Sequence, residues 1–283
     1  MPNSVFTIKR MTIAELKIAT EWAAQEGWNP GLHDAEAYFA ADPEGYLMGY
    51  VDDEPISCIS VVKYNDDFGF LGFYIVKPEY RGKGYGWKIW QAGMEYLKGC
   101  NVGLDGVVDQ QENYKKSGFK LAYRNIRFEG LPISSFNSKY SLTPIQQIPF
   151  PLIQEFEKNF FPATRNRFLE KWFQLPDAFG YGILEEGKLI AYSIMRKCRE
   201  GYKVAPLFAQ NVEQAEAILV GLSQEVSGDG KLYIDIPEIH TNALDWIKSH
   251  QFKMVFETAR MYTGAIPKLP VHQIFGITSF EIG

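Results

Sequence analysis

The 283-residue sequence predicts a mixed α/β fold, with helices packed on a mixed sheet, that occurs twice in the chain. Three observations predict this. Runs with alternating or continuous apolar residues, typical of strands, are interspersed with runs of helical spacing. A glycine-rich basic turn from Arg81 to Gly86 separates a long apolar strand from a helix. The hydrophobic pattern of the first half then returns 133 residues later, which indicates an internal duplication.

The composition restricts the class of protein. With 46% hydrophobic residues the chain can bury a large core, and its net charge of −5 produces no general attraction for nucleic acid or an anionic membrane. We therefore expect neither partner. Cys58, Cys100 and Cys198 lie far apart without CxxC spacing, as in proteins of a reducing compartment.

No targeting, membrane or metal-binding pattern is evident. The first residues contain no apolar core of a signal peptide, and nowhere do 18 apolar residues run together. The four histidines are scattered, so no metal is implied. These features predict a cytoplasmic protein.

The first elements are a strand, two helices and a hairpin. The strand begins at Phe6 and ends at Thr12, which forms capping-box spacing with Glu15 before the first helix. A break at Pro30 and Gly31 precedes a short helix, for which Asp34 is the predicted cap. The predicted hairpin joins two strands through a turn; these are residues 45–52, residues 56–63 and a turn at Asp53, Glu54 and Pro55.

A long strand and the glycine turn follow. Phe68 to Val76 is apolar almost throughout, which predicts burial on both faces. Gly82, Gly84 and Gly86 then let the backbone approach a ligand closely, and the first amides of the next helix lack intrahelical partners. With Arg81 and Lys83 alongside, this turn is a predicted anion site.

Three further elements complete the first half. They are a strand at 101–108, a short helix at 109–117 and a strand at 120–128. We predict a first domain at residues 1–129, a proline- and serine-rich linker at 130–150, and a second domain at 151–283.

The second copy lacks the features of the anion site. Arg81, Gly82, Gly84 and Gly86 are matched there by other residues, namely Gln214, Ala215, Ala217 and Leu219. A helix is still predicted at this position, since Asn211 has capping spacing with Gln214. The second copy should therefore pack like the first without holding a pyrophosphate.

Two motifs carry a family resemblance. The stretch V-x-P-E-Y-R-G-K-G-Y-G (Val76 to Gly86) and the later N-Y-K-K-S-G-F (Asn113 to Phe119) resemble the GCN5-related N-acetyltransferases, or GNAT family. In that family an R/Q-x-x-G-x-G/A turn binds the pyrophosphate of acetyl-CoA. The second half resembles the degenerate C-terminal domain of a two-domain subgroup. The resemblance implies tandem GNAT-like domains, the second without the pyrophosphate loop.

The resemblance implies acetyl-CoA as a cosubstrate. Its predicted binding residues are Ile75, Val76, Arg81, Gly82, Lys83, Gly84, Tyr85 and Gly86. An amide near Ile75 and Val76 would donate to the oxyanion, and a strand splayed from its neighbour would bond the pantetheine arm. Tyr114 matches the family's general acid; the alternative is a tyrosine packed at a helix end.

The general base is left open. The family often carries a glutamate on the strand before the glycine turn, but no carboxylate lies between Phe70 and Tyr74. The candidates are Asp105, His33, Asp34 or a water chain held by Tyr74. Asp105 is the assignment adopted, although its recurrence as Asp235 in the second copy also indicates a structural role.

The acceptor site is predicted from the loop between the first two helices. Trp28, His33 and Asp34 place an indole, an imidazole and a carboxylate around a turn, and Tyr74 is a further predicted acceptor-binding residue. Trp28 would offer a cation-π face to an amine; alternatively it only anchors the surface. If the acceptor also carries a carboxylate, it would be clamped by an arginine, with Arg124, Arg127 and Arg165 as candidates.

These features predict an acetyl-CoA-dependent N-acetyltransferase that acts on the primary amine of a small molecule, as a monomer or homodimer, with the second copy closing over the acceptor. Two alternatives remain: an enzyme that acetylates lysine or the N-terminus of proteins, and a CoA-binding sensor without turnover.

Overall fold

The computed structural model describes residues 5–134, 138–228 and 230–283. Within these residues, thirteen strands form one sheet and eight α-helices pack against it. Residues 135–137 of the predicted linker lie outside the described residues. No helix in the described ranges is both long and apolar enough to cross a membrane.

The strands of the first half are β1 (Phe6–Arg10), β2 (Tyr46–Val51), β3 (Glu54–Lys63), β4 (Phe68–Val76), β5 (Asn101–Val107) and β6 (Lys120–Gly130). Its helices are α1 (Ile13–Gln25), α2 (Asp34–Ala41), α3 (Tyr85–Tyr96) and α4 (Gln111–Lys116). The second half contains β7 (Thr143–Pro144), α5 (Phe150–Glu157), α6 (Asn166–Trp172), β8 (Ala178–Glu185), β9 (Lys188–Lys197), β10 (Tyr202–Ala209), α7 (Val212–Ser223), β11 (Leu232–Pro237), α8 (Thr241–Ser249), β12 (Lys253–Tyr262) and β13 (Ile274–Gly276). The predicted order of elements in the first half is confirmed.

Local signals account for the helix and turn positions, with two corrections. The Thr12–Glu15 capping box is present, and Asn211 caps α7 through the amide of Gln214. However, Asp34 does not cap α2 as predicted. The N-cap residue is His33, whose side chain forms no capping hydrogen bond, and the Asp34 carboxylate bonds Arg196 instead. The β2–β3 turn lies one residue earlier than predicted, at Asp52 and Asp53, whose φ values of +49° and +67° suit a tight hairpin.

Strands β4 and β5 separate at the end that points to the glycine turn. They pair in parallel from Phe68 with Asn101 to Leu71 with Leu104, and no further. A register shift between β3 and β4 lies opposite this point, where Phe73 has φ +43°. The remaining residues of β4, Gly72 to Val76, therefore face a gap beside β5.

The two halves exchange strands in the middle of the sheet. The strand order is β1-β2-β3-β4-β5-β12-β6-β11-β10-β9-β8-β7, with β13 on β10. The last strand of the second half thus lies between β5 and β6, and β6 pairs with β11 of the second half. Each half completes its sheet with a strand from the other.

This exchange has a local two-fold relation that matches the sequence repeat. Asn125 pairs with Thr258, a residue 133 positions later, at the centre of the β6–β12 ladder. One buried ion pair that links the halves lies on each side of this centre. These are Arg127 with Asp235 at 2.7 Å and Arg260 with Asp105 at 2.5 Å. The repeated arginine and aspartate thus stabilise the exchanged strands.

The corresponding gap in the second half is filled by the chain itself. Strands β10 and β11 pair in parallel only from Tyr202 to Val204. Beyond that point β13 pairs with β10 at Leu207 and Phe208, and the Ile277 amide donates to the Asp235 carbonyl at 2.9 Å. The second copy has therefore lost its cleft as well as its glycine turn.

Candidate active site

A cavity of about 630 Å³ occupies the gap between β4 and β5. It extends from the glycine turn, past Tyr114 on α4, to residues of the second half. Its walls include Gly72 to Val76, Gly82, Gly84, Gly86, Asp105 to Val107, Asn113, Tyr114, Glu26 and Trp28, together with Phe256, Thr258, Phe280 and Glu281. The splayed strands predicted from the sequence thus form a cleft.

The glycine turn has the geometry of an anion site. Gly82 and Gly84 have φ values of +74° and +82°, which residues with a Cβ rarely adopt, and the space where a Cβ would lie is open. Gly84 is the N-cap of the twelve-residue helix α3 and provides no side-chain cap, so the first amides of α3 face outward. A Cβ on Gly86 would lie 2.7 Å from the Tyr74 hydroxyl oxygen, so close packing of α3 on β4 requires glycine. These residues fit a pyrophosphate.

The cations of the turn are oriented by neighbouring residues. Arg81 donates from Nε to the Val76 carbonyl at 2.8 Å and forms an ion pair with Glu26. The Lys83 ammonium lies 5.3 Å from the centre of the Tyr80 ring, and the Tyr85 ring packs against Phe6 at 5.0 Å. The positive charge is thus held at the mouth of the cleft, beside the end of β4.

The backbone at the end of β4 presents an amide to the cavity. The Lys77 amide donates to the Ile56 carbonyl of β3 at 2.9 Å. Since amides alternate in direction along a strand, the Val76 amide points away from β3, towards the gap. This is the direction that the predicted oxyanion donor requires.

Tyr114 lies on the wall formed by β5 and α4. Its ring stacks on Trp90 at 5.7 Å and covers Gly106, where a Cβ would lie 2.1 Å from Cε2. Among the residues that the structure describes, the influences on its hydroxyl are burial and the nearby Tyr74, without a hydrogen bond. Burial, with a smaller effect of Tyr74, raises the pKa of Tyr114 well above its usual value, which keeps the hydroxyl protonated.

Asp105 reaches the cavity wall, but its carboxylate is engaged. Arg260 donates to its two oxygens at 2.9 and 2.5 Å, and Asn125 donates at 2.8 Å. Burial raises the pKa of Asp105 although Arg260 opposes the effect. Its assignment as the base stays a prediction, and these contacts favour the structural alternative.

The loop between α1 and α2 brings one of its three predicted residues to the cavity. Trp28 lines the wall, and its carbonyl accepts from Arg127 at 2.7 Å. Asp34 is instead 1% exposed and forms an ion pair at 2.6 Å with Arg196 of β9, which belongs to the second half. This ion pair links the two halves. His33 lies 3.8 Å from Asp177, outside the lining residues. Tyr74 lines the cavity, with its ring against Trp90 at 5.1 Å.

The three candidate arginines for a carboxylate clamp are all paired. Arg127 bonds Asp235, Arg165 bonds Glu157 at 2.9 Å, and Arg124 bonds Glu257 at 3.0 Å. Each guanidinium is therefore committed to a neighbouring carboxylate.

Four of the lining residues that were missed at the level of sequence come from the second half. Phe256, Thr258, Phe280 and Glu281 belong to β12 and to the C-terminal tail at 277–283, far from the first-half motifs. No local pattern marks them, because Phe256 and Thr258 reach the cavity through the exchanged strand β12, and Phe280 and Glu281 reach it through the path of the tail. Within residues 5–134, 138–228 and 230–283, no group of three or more His, Cys, Asp or Glu side chains is arranged for a metal ion.

Comparison with known proteins identifies the family. A model of the acetyltransferase (GNAT) family matches residues 13–119, and a model of an acetyltransferase (GNAT) domain matches residues 153–276. A holothin acyltransferase from Pseudoalteromonas sp. (strain SANK 73390) is 32% identical over 281 residues, 99% of this chain and 96% of that protein. The chain belongs to the GNAT acyltransferase family.

Solved structures confirm the tandem GNAT fold. A putative acetyltransferase from Pyrococcus horikoshii superposes with a TM-score of 0.81 at 23% identity, over 98% of this chain and 96% of that one. A tandem GNAT protein from the clavulanic acid biosynthesis pathway superposes with a TM-score of 0.62 at 10% identity, over 93% and 100%. The predicted family, fold and acyltransferase class of this GNAT chain are thus confirmed.

Proposed function

We propose that this GNAT acyltransferase transfers an acetyl group from acetyl-CoA to the primary amine of a small molecule. The observation that supports the proposal best is the shape of the cavity. One end is the glycine turn, the middle runs between the splayed strands past Tyr114, and the other end is walled by the second half.

The donor side has residues suited to acetyl-CoA. The outward amides of Gly84 and the first turn of α3, with Arg81 and Lys83, would hold the pyrophosphate. The free edge of β4 up to Val76 would bond the pantetheine arm as an added strand does. When bound, acetyl-CoA supplies an activated acyl thioester.

Two groups of the chain then assist the transfer. The Val76 amide would donate to the carbonyl oxygen as negative charge develops on it, a contribution of about 3 kcal/mol at comparable sites. The Tyr114 hydroxyl would give its proton to the departing thiolate. Both groups lie on walls of the same cavity.

The acceptor end favours a small molecule over a protein. It is enclosed by aromatic rings from the loop, from β12 and from the tail, namely Trp28, Phe256 and Phe280. A volume of about 630 Å³ that must also admit the thioester leaves little room for a peptide backbone. The aromatic walls suit an amine attached to an apolar or aromatic body.

The proposal is tested by measuring thiol release from acetyl-CoA with a panel of amines: amino acids, polyamines, amino sugars, aryl-alkylamines and lysine peptides. Turnover with a small amine is the expected result. Faster turnover with lysine peptides would favour the protein-acetylating alternative. CoA binding in the micromolar range without turnover on any amine would indicate a sensor. Replacing acetyl-CoA with longer acyl-CoA donors determines the acyl group.

We also propose a cytoplasmic location. Cys58, Cys100 and Cys198 are free thiols, two of them buried, and such thiols persist in a reducing compartment. Labelling of the chain in intact cells with a thiol-reactive probe, before and after lysis, tests this.

A further inference from the structure

A buried glutamate of the C-terminal tail belongs to the wall of the cavity at its proposed acceptor end. Glu281 lines the cavity wall and is 2% exposed. It follows β13, which fills the gap of the second half, so one segment closes the second cleft and then enters the first. Neither the sequence motifs nor the ion pairs between the halves account for this residue.

One of the two carboxylate oxygens of Glu281 has no partner. Oε2 accepts from the Ser279 hydroxyl at 2.7 Å and from the Tyr38 hydroxyl at 3.1 Å. Oε1 is buried and receives no hydrogen bond from any residue that the structure describes. A buried acceptor without a donor is costly, and a donor group brought to it by a bound ligand would remove that cost. A protonated amine is the donor that best satisfies a carboxylate.

The position of Glu281 suits a role in the reaction. Its main chain passes directly over Gly72 of β4, where a Cβ would lie 2.2 Å from the Glu281 carbonyl oxygen. Gly72 lies four residues before Val76 on the strand that lines the cleft. Strand β4 carries no carboxylate, and Glu281 is an acidic residue whose main chain lies against it.

The tail is held firmly on both sides of Glu281. Arg165 donates to the Thr278 hydroxyl at 2.8 Å and to the Gly283 carbonyl at 3.1 Å. The Tyr64 hydroxyl donates to the Ile282 main-chain carbonyl at 2.8 Å, and the Ser60 hydroxyl donates to the Glu281 main-chain carbonyl at 2.9 Å. The carboxylate is therefore preorganised rather than free to move with the chain end.

We propose that Glu281 is the general base, which binds the acceptor's ammonium group through Oε1 and takes a proton from it; this rests on the proposed function. The ammonium R–NH₃⁺ becomes R–NH₂ as Glu281 becomes a carboxylic acid. The nitrogen lone pair forms the C–N bond to the acyl carbon, and the C–S bond breaks with its electron pair on sulfur. Tyr114 protonates that sulfur and regains a proton from the nitrogen, and Glu281 returns its proton to solvent.

The groups that face Glu281 allow this role. They are Asp34 and Tyr38 of α2, Tyr46 of β2 and Arg127 of β6. Burial, followed by the charges of Asp34 and Glu281, raises the pKa of Tyr38 well above its usual value, so Tyr38 stays a neutral donor to Oε2. Arg127 is paired with Asp235, which leaves Oε1 for the acceptor.

The test compares Glu281→Gln with Glu225→Gln, a matched loss of a carboxylate that bonds Tyr181 away from the cavity. With an alkylamine that is protonated at the assay pH, we expect kcat/KM of E281Q to fall at least 100-fold, and E225Q to stay within about threefold of wild type. An arylamine or hydrazide acceptor is already neutral at that pH. With such an acceptor, the loss of kcat/KM in E281Q relative to wild type should be at least tenfold smaller.

Binding gives a second readout without the acyl donor. The protonated alkylamine should bind E281Q at least tenfold more weakly than wild type in calorimetry with CoA present, while CoA affinity and the melting temperature stay unchanged. An equal deficit with both acceptors, or E281Q activity within threefold of wild type, would overturn the proposal. Wild-type protein that acetylates no amine would instead refute the proposed function, and the role of Glu281 with it.

Discussion

At the scale of single residues, the backbone of Gly84 distinguishes the proposed binding turn of the first half from the corresponding turn of the second half. Its φ of +82° and its position at the start of α3 direct amides outward, whereas α7 of the second half starts with the side-chain cap of Asn211. An amide used by a cap is not available to a phosphate. The two helices pack at equivalent places against the sheet, but the N-terminus of α3 has no side-chain cap and that of α7 is capped by Asn211.

Gly84→Glu should abolish CoA binding while the chain still folds. The new carboxylate would lie at the proposed pyrophosphate site, and we expect CoA affinity to fall at least about 100-fold in calorimetry. Backbone strain of about 1–2 kcal/mol accompanies any side chain at this φ. Gly99→Glu controls for it, because Gly99 has φ +92°, equally open space and a place outside the cavity. Equal CoA affinity in G84E and wild type would refute the site.

Tyr114→Phe should separate catalysis from packing. The ring still covers Gly106 and stacks on Trp90, so CoA affinity should not change, while turnover falls about 100-fold with loss of the proton donor. Because burial raises the pKa of Tyr114 above its ordinary value near 10, wild-type kcat should show no alkaline decline due to this residue below about pH 10. Y181F, which changes a tyrosine outside the cavity, is the control; unchanged turnover in Y114F would leave Tyr114 a packing residue.

At the scale of elements, the exchanged strands β6 and β12 depend on buried ion pairs. Burial alone would raise the pKa of Asp235, but the charge and hydrogen bonds of Arg127 outweigh it and hold the pKa below the usual range. This pair therefore stabilises the fold above the unfolded-state pKa of about 4, and the contribution is lost as the pH falls through the lower folded-state pKa.

Asp235→Asn should destabilise the protein strongly at neutral pH. The substitution leaves the Arg127 guanidinium beside a neutral amide, and Arg127 is only 2% exposed. Because the loss of one partner leaves a buried charge unpaired, the free energy of unfolding should fall by about 3–5 kcal/mol. Urea unfolding at pH 7 measures the loss. Lys139→Ala, which breaks an exposed pair with Glu213, should cost less than about 1 kcal/mol. A D235N loss as small as that of K139A would show that the pair is not needed to hold the strands.

At the scale of the whole molecule, the two copies form one interlocked sheet. Strand β12 supplies the neighbour of β5, and β6 supplies the neighbour of β11. Asp34 and Arg196 join the halves at a second place, and the tail joins them at a third. The cavity, including its proposed acceptor end, is therefore built from both copies. The boundaries predicted at residues 129 and 151 stay a prediction.

Residues 1–130 and 131–283, produced separately, should each fail to fold into a stable monomer. Each half would expose a strand edge and leave buried charges unpaired: Asp105 in the first and Asp235 in the second. Produced together, they should form a complex that binds CoA and unfolds cooperatively, as size-exclusion chromatography and calorimetry would show. A first half that is monomeric and cooperatively folded alone would contradict the interlocked sheet as a requirement for folding.

The order of elements was predictable because it depends on local patterns. The Thr12–Glu15 capping box, the apolar run of β4 and the glycine turn each encode their structure within about ten residues. The 133-residue repeat also predicted the second copy. The partners of Asp34 and Asp105 were not predictable, since Arg196 and Arg260 lie more than 150 positions away and their pairing depends on which strands become neighbours.

The sequence by itself determined the glycine turn, the position of Tyr114 and the degeneracy of the second copy, because these depend on residue identity at short spacing. Only the tertiary structure decided that β6 and β12 change places, that β13 fills the second cleft, and that Glu281 enters the first. These arrangements arise when long-range strand pairing and the burial of charges are satisfied together. No short stretch of sequence specifies that choice.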